Sequence, residues 1–153
     1  MTGVQTCALP IFRAGRVVYL FDGQHLWYAL PSGRILCYPY VRLEPEGVSY
    51  AKASWKPAAD AKEWPRARLW KGLACENITQ AAANDVLRAS LRQLDAAGLN
   101  AVLHVHDEIV LEVPEKDADA AAKLLHDVMC APPGWASGLP LEAEVSVMTR
   151  YGK

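Results

Sequence analysis

The amino-acid sequence predicts an α+β fold in which helices pack on an antiparallel sheet. Three observations lead to this prediction. Short aromatic and β-branched runs broken by turn residues occupy residues 12–71. One long amphipathic pattern of helical period follows over residues 73–97. Two apolar runs joined by a very tight turn then occupy residues 101–114, so a β-hairpin is expected after the helix.

The first part of the chain is expected to be rich in strands. Residues 17–21 form an apolar run that an Asp-Gly turn dipeptide ends. Residues 25–30 and 34–40 predict a hairpin, because a Pro-Ser-Gly turn separates two runs rich in Tyr, Leu and Ile. A further strand is predicted near residues 48–53, followed by a loop that reaches Lys71.

Charge is unevenly distributed, although the formal net charge is only −1. Residues 52–71 contain six basic and two acidic side chains, whereas residues 107–144 contain nine acids and two lysines. Bases can neutralise phosphates and acids can hold metal ions, but both segments could equally be ordinary solvated faces. Tryptophans interleave with the bases of the first segment, which is expected either to contact DNA or simply to pack its loop. These tryptophans are Trp55, Trp64 and Trp70.

Residues 73–97 are the clearest predicted helix. Leu87, Leu91 and Leu94 recur at helical spacing and predict a buried face. Gly98 is expected to end the helix. Four polar residues recur every fourth position and predict an exposed ridge. They are Glu76, Gln80, Asn84 and Arg88.

The predicted hairpin turn contains His106, Asp107 and Glu108. Two adjacent carboxylates at a hairpin tip are fixed by the flanking strands and remain accessible to a ligand. Mg²⁺ prefers carboxylate oxygens and shares its other coordination sites with water and phosphate. Asp107 and Glu108 are therefore candidate metal ligands.

A second helix and a last strand are expected after the hairpin. Asp117 is placed to cap a helix that reaches Met129, and residues 141–149 predict the strand. The helix would pack on the sheet through four apolar residues. They are Ala121, Leu125, Val128 and Met129.

The His-Asp-Glu turn resembles the C-motif of family A DNA polymerases, in which it carries one of the palm carboxylates. The preceding helix, ENITQAAANDVLRASLRQL, is similar to the helix before that hairpin in the family. The segments PEKDADAAAKLLHDVM, WASGLPLEAEV and RYGK resemble the ending of phage and prophage members. The resemblance covers residues 30–153. It implies a palm-type sheet, with residues 12–71 as a β-rich region following the fingers and residues 72–153 as the C-terminal portion of the palm.

The resemblance also implies roles for individual residues. Asp107 would be a catalytic metal ligand, Glu108 an accessory carboxylate, and His106 would orient the primer terminus. Gln80 and Glu76 would line the cleft near the primer-template end, although cellular members more often have Asn in place of Glu76. The candidate DNA-binding set is completed by Asn84, Arg88 and Lys71.

A DNA-directed DNA polymerase transfers nucleotides from dNTPs to a primer 3′-hydroxyl with two Mg²⁺ ions. The chain lacks a recognisable second palm Asp motif, the fingers helix with its Arg/Lys pair, and the thumb. These parts are expected in a missing N-terminal portion of the parent enzyme. The chain alone is therefore expected to bind primer-template DNA weakly and to be inactive.

Two other functions remain open at this point. The first is a metal-dependent hydrolase that uses His104, His106 and Asp107, because alternate strand residues share a face and could share one zinc ion. It would need further ligands from other elements. The second is a non-catalytic remnant that binds nucleic acid or a separate chain without a metal.

The remaining sequence features concern location and the first residues. The four cysteines lie far apart and form no C-x-x-C pair, which favours reduced thiols in the cytoplasm. No apolar run approaches the ~20 residues that a membrane span needs. Residues 1–11 are either a frayed natural segment or, as we expect, the translation of a sequencing-library adapter, with Met1 not a biological start.

Overall fold

The computed structural model describes residues 11–52 and 64–152. It divides into two compact units, residues 1–79 and residues 80–153. The elements are α-helical and β-stranded with antiparallel sheets, which confirms the predicted α+β class. Almost all of the predicted adapter segment and the tryptophan Trp55 lie outside the described residues.

The first unit begins with a four-stranded antiparallel meander. Its strands are β1 (Ile11–Ala14), β2 (Val17–Phe21), β3 (Leu26–Ala29) and β4 (Ile35–Tyr38). The predicted hairpin is confirmed as β3 and β4. Its Pro-Ser-Gly turn is closed by a hydrogen bond from the amide of Leu30 to the carbonyl of Arg34 at 2.8 Å.

A ladder of aromatic rings crosses this meander. Tyr19, Tyr28 and Tyr38 stand on adjacent strands with ring centroids 6.0 and 5.2 Å apart. Phe12 stacks on one end of the ladder at 4.7 Å, and Tyr50 contacts the other end at 5.1 Å. The four tyrosines are buried. Burial raises the pKa of Tyr28, with a further contribution from Tyr38 beside it.

A second antiparallel sheet follows in the same unit. It consists of β5 (Arg42–Glu44), β6 (Gly47–Ala51) and β7 (Arg66–Leu69), with β6 in the centre. The predicted strand near residues 48–53 corresponds to β6. The expectation of a loop up to Lys71 is wrong for β7, which pairs with β6 along four residues.

Helix α1 (Lys71–Ala96) begins in the first unit and ends in the second. Near its start, Asn77 Nδ2 donates to the Tyr38 hydroxyl at 2.9 Å. At its end Gly98 has a φ of 80°, and the Leu99 amide donates to the Leu94 carbonyl at 2.9 Å. A left-handed glycine with this bond is the Schellman ending, which confirms the predicted role of Gly98.

The second unit packs a hairpin and a helix against the end of α1. Strands β8 (Ala101–Val105) and β9 (Glu108–Leu111) pair with each other, and α2 (Ala118–Cys130) follows a short 3-10 turn, Glu115–Asp117. Three elements share the buried core. Its members are Leu87, Leu94, Ile109, Leu125 and Val128, with Leu91 and Met129 packed against them.

The predicted helix phases are confirmed. The leucines of α1 are buried or half-buried, and the predicted ridge of Glu76, Gln80, Asn84 and Arg88 is exposed. In α2 the predicted apolar residues Ala121, Leu125 and Val128 are buried.

Two expectations for the second unit are wrong in detail. Residues 141–149 do not form a strand: burial alternates from Leu141 to Val145, but no ladder pairs them with another strand within the described residues. Asp117 occupies the N-cap position of α2 as predicted, but its side chain makes no capping hydrogen bond. Asp117 also ends the 3-10 turn, whose backbone bonds already organise this start.

The described residues contain no helix long and apolar enough to cross a lipid bilayer.

We predict that Leu94→Ala destabilises the chain by about 2–5 kcal/mol, because Leu94 is fully buried at the centre of the second unit's core. Urea unfolding followed by circular dichroism measures the loss. Leu124→Ala is the matched control, since Leu124 lies on α2, the other helix of this core, but is 36% exposed. Equal effects of the two substitutions would contradict the assigned core.

Candidate active-site hairpin

The predicted hairpin has the shortest common connection. Val105 of β8 pairs with Glu108 of β9, so that only His106 and Asp107 form the loop. A two-residue loop fixes the register of both strands, because the pairing on either side leaves no slack. The position of Asp107 therefore follows directly from the β8–β9 ladder.

His106 has an unfavourable backbone conformation at this turn. Its φ is 54°, and among the described residues only Tyr40 is another non-glycine residue with positive φ. Positive φ at the first loop position alone is the signature of a type II′ turn, where glycine is preferred. His106 thus keeps a side chain at a position where the backbone conformation favours glycine. Such outliers concentrate at functional sites.

The two carboxylates differ in exposure. Asp107 is exposed in the loop, whereas Glu108 is half-buried as the first residue of β9 and has an interaction partner. Adjacent strand residues point to opposite faces, and the next residue, Ile109, is buried in the core. Asp107 is therefore the carboxylate presented at the tip, and Glu108 lies beside it at the start of the strand.

The described residues contain no group of three or more His, Cys, Asp or Glu side chains close enough to hold a metal ion. Carboxylate oxygens are suitable donors for Mg²⁺, so Asp107 and Glu108 fit the ion in chemistry. Two carboxylates, however, supply only part of the coordination shell of the ion.

The turn geometry removes one argument for the metal-dependent hydrolase, namely that His104 and His106 share a strand face. His104 lies in β8, but His106 lies in the turn with positive φ. The alternation that would place both imidazoles on one strand face therefore does not apply to His106.

The candidate DNA-binding residues are all exposed on α1. Lys71 and Glu76 belong to the first unit, whereas Gln80, Asn84 and Arg88 belong to the second. Glu76 and Gln80 also have interaction partners within the chain.

Sequence reasoning missed the burial of Asp85. Its side chain is 6% exposed and has an interaction partner. Carboxylates are almost never fully buried unless they are paired. The leucine pattern gave no signal for it, because helical spacing places Asp85 with Ala89, four residues later, on the side of α1 away from Leu87, Leu91 and Leu94.

The chain is similar to two curated DNA polymerases. It is 36% identical over 145 residues to the DNA polymerase of Bacillus phage SP02, an alignment that covers 94% of this chain and 22% of that polymerase. It is 35% identical over 72 residues to the thermostable DNA polymerase I of Thermus aquaticus, which covers 44% of this chain and 8% of that enzyme. The predicted resemblance to Pol I-like DNA polymerases is confirmed. The chain spans about a fifth of the length of the phage relative.

No protein-family profile matches the chain. No solved structure matches it either.

We predict opposite effects of glycine at two neighbouring histidines. His106→Gly should be more stable than His106→Ala by about 1 kcal/mol, because only glycine accepts positive φ without a Cβ clash. At His104, inside β8, the Ala variant should be the more stable one by about 0.5–1 kcal/mol. Thermal unfolding of the four variants measures both differences, and the same order at both positions would contradict the assigned turn.

Proposed function

We propose that this chain, a relative of Pol I-like DNA polymerases, forms part of a DNA-directed DNA polymerase and supplies one metal-binding carboxylate of its active site. The observation that carries the proposal is the exposed Asp107 on a rigid two-residue turn. A group that must meet a metal ion and a phosphate has to be both accessible and fixed, because misplacement by 1 Å can cost about a hundredfold in rate.

Asp107 and Glu108 would hold Mg²⁺, which activates the attacking hydroxyl and stabilises charge on the leaving phosphate when it is bound. Asp107 offers its oxygens at the tip, and Glu108 assists from the first position of β9. A complete site needs at least one more carboxylate. That group belongs to the part of the polymerase outside this chain.

His106 would orient the primer end by hydrogen bonding. The imidazole can donate or accept, and it belongs to the turn residue next to Asp107. A residue that serves only the turn would be replaced by glycine with a gain in stability, so retention of His106 at positive φ supports a role for the ring.

The exposed ridge of α1 would contact the DNA. Gln80 carries a side-chain amide, which can donate to minor-groove acceptors that all base pairs present. Arg88 can neutralise a phosphate, and Asn84 lies between these two on the same face. Lys71 and Glu76, nearer the start of the helix, complete the proposed DNA-binding set.

The proposed partners are primer-template DNA, dNTPs and the remaining polymerase chain. The chain aligns with 22% of the phage relative, so most of an enzyme of that length lies outside it. The fingers, the thumb and the first palm motif are proposed to reside there.

We predict that Asp107 is essential when the chain is placed in an intact enzyme. A suitable enzyme is the SP02 polymerase with its aligned segment replaced by this chain. Asp107→Asn should lower the rate of nucleotide incorporation at least about a hundredfold, which corresponds to about 2.7 kcal/mol of transition-state stabilisation. Glu108→Gln should have a smaller effect.

Asp119→Asn is the matched control, because Asp119 is an exposed aspartate in the first turn of α2, away from the hairpin turn. Single-turnover primer extension measures all three variants. A near-normal rate with Asp107→Asn would refute the assignment of the metal-binding carboxylate.

We also predict that the purified chain alone extends no primer in the presence of Mg²⁺ and all four dNTPs, because its carboxylates are too few for two metal ions. Its binding to primer-template duplex should be weak and should fade as salt rises. The logarithm of the association constant should fall linearly with the logarithm of the salt concentration, by about 0.9 per neutralised phosphate. A labelled-primer assay decides the matter. Robust synthesis by the chain would show that nothing essential is missing.

A further inference from the structure

One face of the sheet β5–β6–β7 carries three arginines. The register places Arg42 and Arg68 directly opposite Ser49, one on each side. Residues opposite one another in an antiparallel ladder share a face, and so do residues two apart in one strand. Arg66 and Glu44 therefore lie on the same face. We call this the arginine face.

Arg66 has a structural role on this face. Its Nε and Nη2 atoms donate to Ser49 Oγ at 3.0 and 2.7 Å. Ser49 Oγ in turn donates to Glu44 Oε1 at 2.8 Å. Arg66 Nη2 also donates to the carbonyl of Tyr40 at 3.0 Å. Glu44 offsets the charge of Arg66 at 3.5 Å. The guanidinium is thus used to hold the sheet and Tyr40 together.

Arg42 and Arg68 remain available for an outside ligand. Both are exposed, and within residues 11–52 and 64–152 neither makes an ion pair. The guanidinium of Arg68 lies near Gly47, 3.8 Å from where a Cβ would stand. Residues 53–63 contain two lysines and two acids, so that segment leaves the balance of charge unchanged.

A cavity at the end of the arginine face is flanked by aromatic rings. It has a volume of about 390 Å³ and is lined by Tyr40, Trp64, Arg42, Arg66 and Ala51. This volume lies within the range of about 300–1,000 Å³ of small-ligand sites. Tyr40 is 52% exposed and Trp64 57% exposed. Exposed rings beside arginines are what a protein uses to stack a base and neutralise its phosphate.

Tyr40 is held in place at an energetic cost. Its φ is 49°, in the left-handed region that a non-glycine residue rarely adopts. The Arg66 bond to its carbonyl and the His25 ring, 4.9 Å from the Tyr40 ring, fix the residue there. The His25 ring in turn contacts Trp27 at 5.8 Å, so a row of rings leads away from the cavity. Strain of this kind points to a site that needs the ring in this position.

We infer that the arginine face and its cavity bind an unpaired segment of DNA. A base stacks on Tyr40 or Trp64, and Arg42 and Arg68 take neighbouring phosphates. Accessible ring faces favour single strands over duplex, because the faces of paired bases are already stacked. Residues 1–79 carry ten basic and six acidic side chains, a net charge of +4, which suits a polyanion. The choice of DNA as ligand rests on the proposed polymerase function.

The test is fluorescence anisotropy of labelled dT12 with the full 153-residue chain, at low salt and with EDTA present. The chain should bind dT12 more tightly than a hairpin duplex of equal charge. Trp64→Leu should weaken binding at least about fivefold, the lower end of what the loss of one stacked base costs. Trp64→Phe should keep most of the affinity. Arg42→Gln should reduce the log–log salt slope by about 0.7.

Two matched controls lie on β1, in the other sheet of this unit. Phe12→Leu removes a ring that is 52% exposed, and Arg13→Gln removes an exposed arginine. Both should change the affinity less than about twofold. If Trp64→Leu fails to fold by circular dichroism, Trp64→Phe and Arg42→Gln decide. Absent dT12 binding, a preference for duplex, or equal losses in the controls would each overturn the inference.

This experiment and the test of the hairpin fail separately. Binding is measured in EDTA, so it does not depend on any metal at Asp107. Loss of extension by Asp107→Asn together with no dT12 binding would overturn only the arginine-face site. Tight dT12 binding together with normal extension by Asp107→Asn would overturn only the hairpin assignment.

Discussion

The burial of Ile109 in the core of the second unit fixes the hairpin on which the proposed chemistry depends, and Leu111 of the same strand packs against that core. Every residue of β8 is exposed, so the hairpin is held to the unit through β9. Ile109 packs with Leu94 of α1 and Leu125 of α2. Burial of such a side chain contributes about 1.5–3 kcal/mol. Asp107 lies in the two-residue turn, only two positions before Ile109. The core that stabilises the unit therefore also positions the carboxylate.

The two units are stabilised by different kinds of side-chain packing. The second unit buries branched aliphatic side chains from two helices and one strand, whereas the first unit stacks tyrosines across adjacent strands. Stacked rings add about 0.5–1.5 kcal/mol per pair beyond their buried area. They also keep their hydroxyl groups usable, since Tyr38 accepts a hydrogen bond from Asn77 of α1. A sheet with few buried aliphatic residues can thus still anchor the start of the long helix.

Periodicity predicted the elements whose packing is local. The phase of α1, its end at Gly98 and the hairpin at residues 101–111 could be read from spacing and turn residues. Strand β7 could not, because Arg66 to Leu69 alternates basic and apolar residues over only four positions and becomes a strand through pairing with β6. Residues 141–149 show the converse. Their alternation is visible in the burial pattern, but a ladder requires a partner that no local pattern supplies. The strained φ of His106 and the convergence of Tyr40, Arg42 and Trp64 also depend on tertiary structure.

The segregation of charge along the chain serves both proposed sites. A carboxylate that is to accept a cation has to stay free of neighbouring arginines, since a salt bridge would occupy its oxygens and neutralise it. Residues 80–153 carry eleven acids and six bases, a net charge of −5, and Asp107 forms no ion pair with any described residue. Arginines that are to bind phosphate need the opposite surroundings, which residues 1–79 provide. Pairing Asp107 with a cation of its own chain would add little stability at a surface site, about 0–1 kcal/mol, and would remove the group from use. The acid surplus around one candidate site and the base surplus around the other are therefore what each site requires in order to bind a ligand of opposite charge.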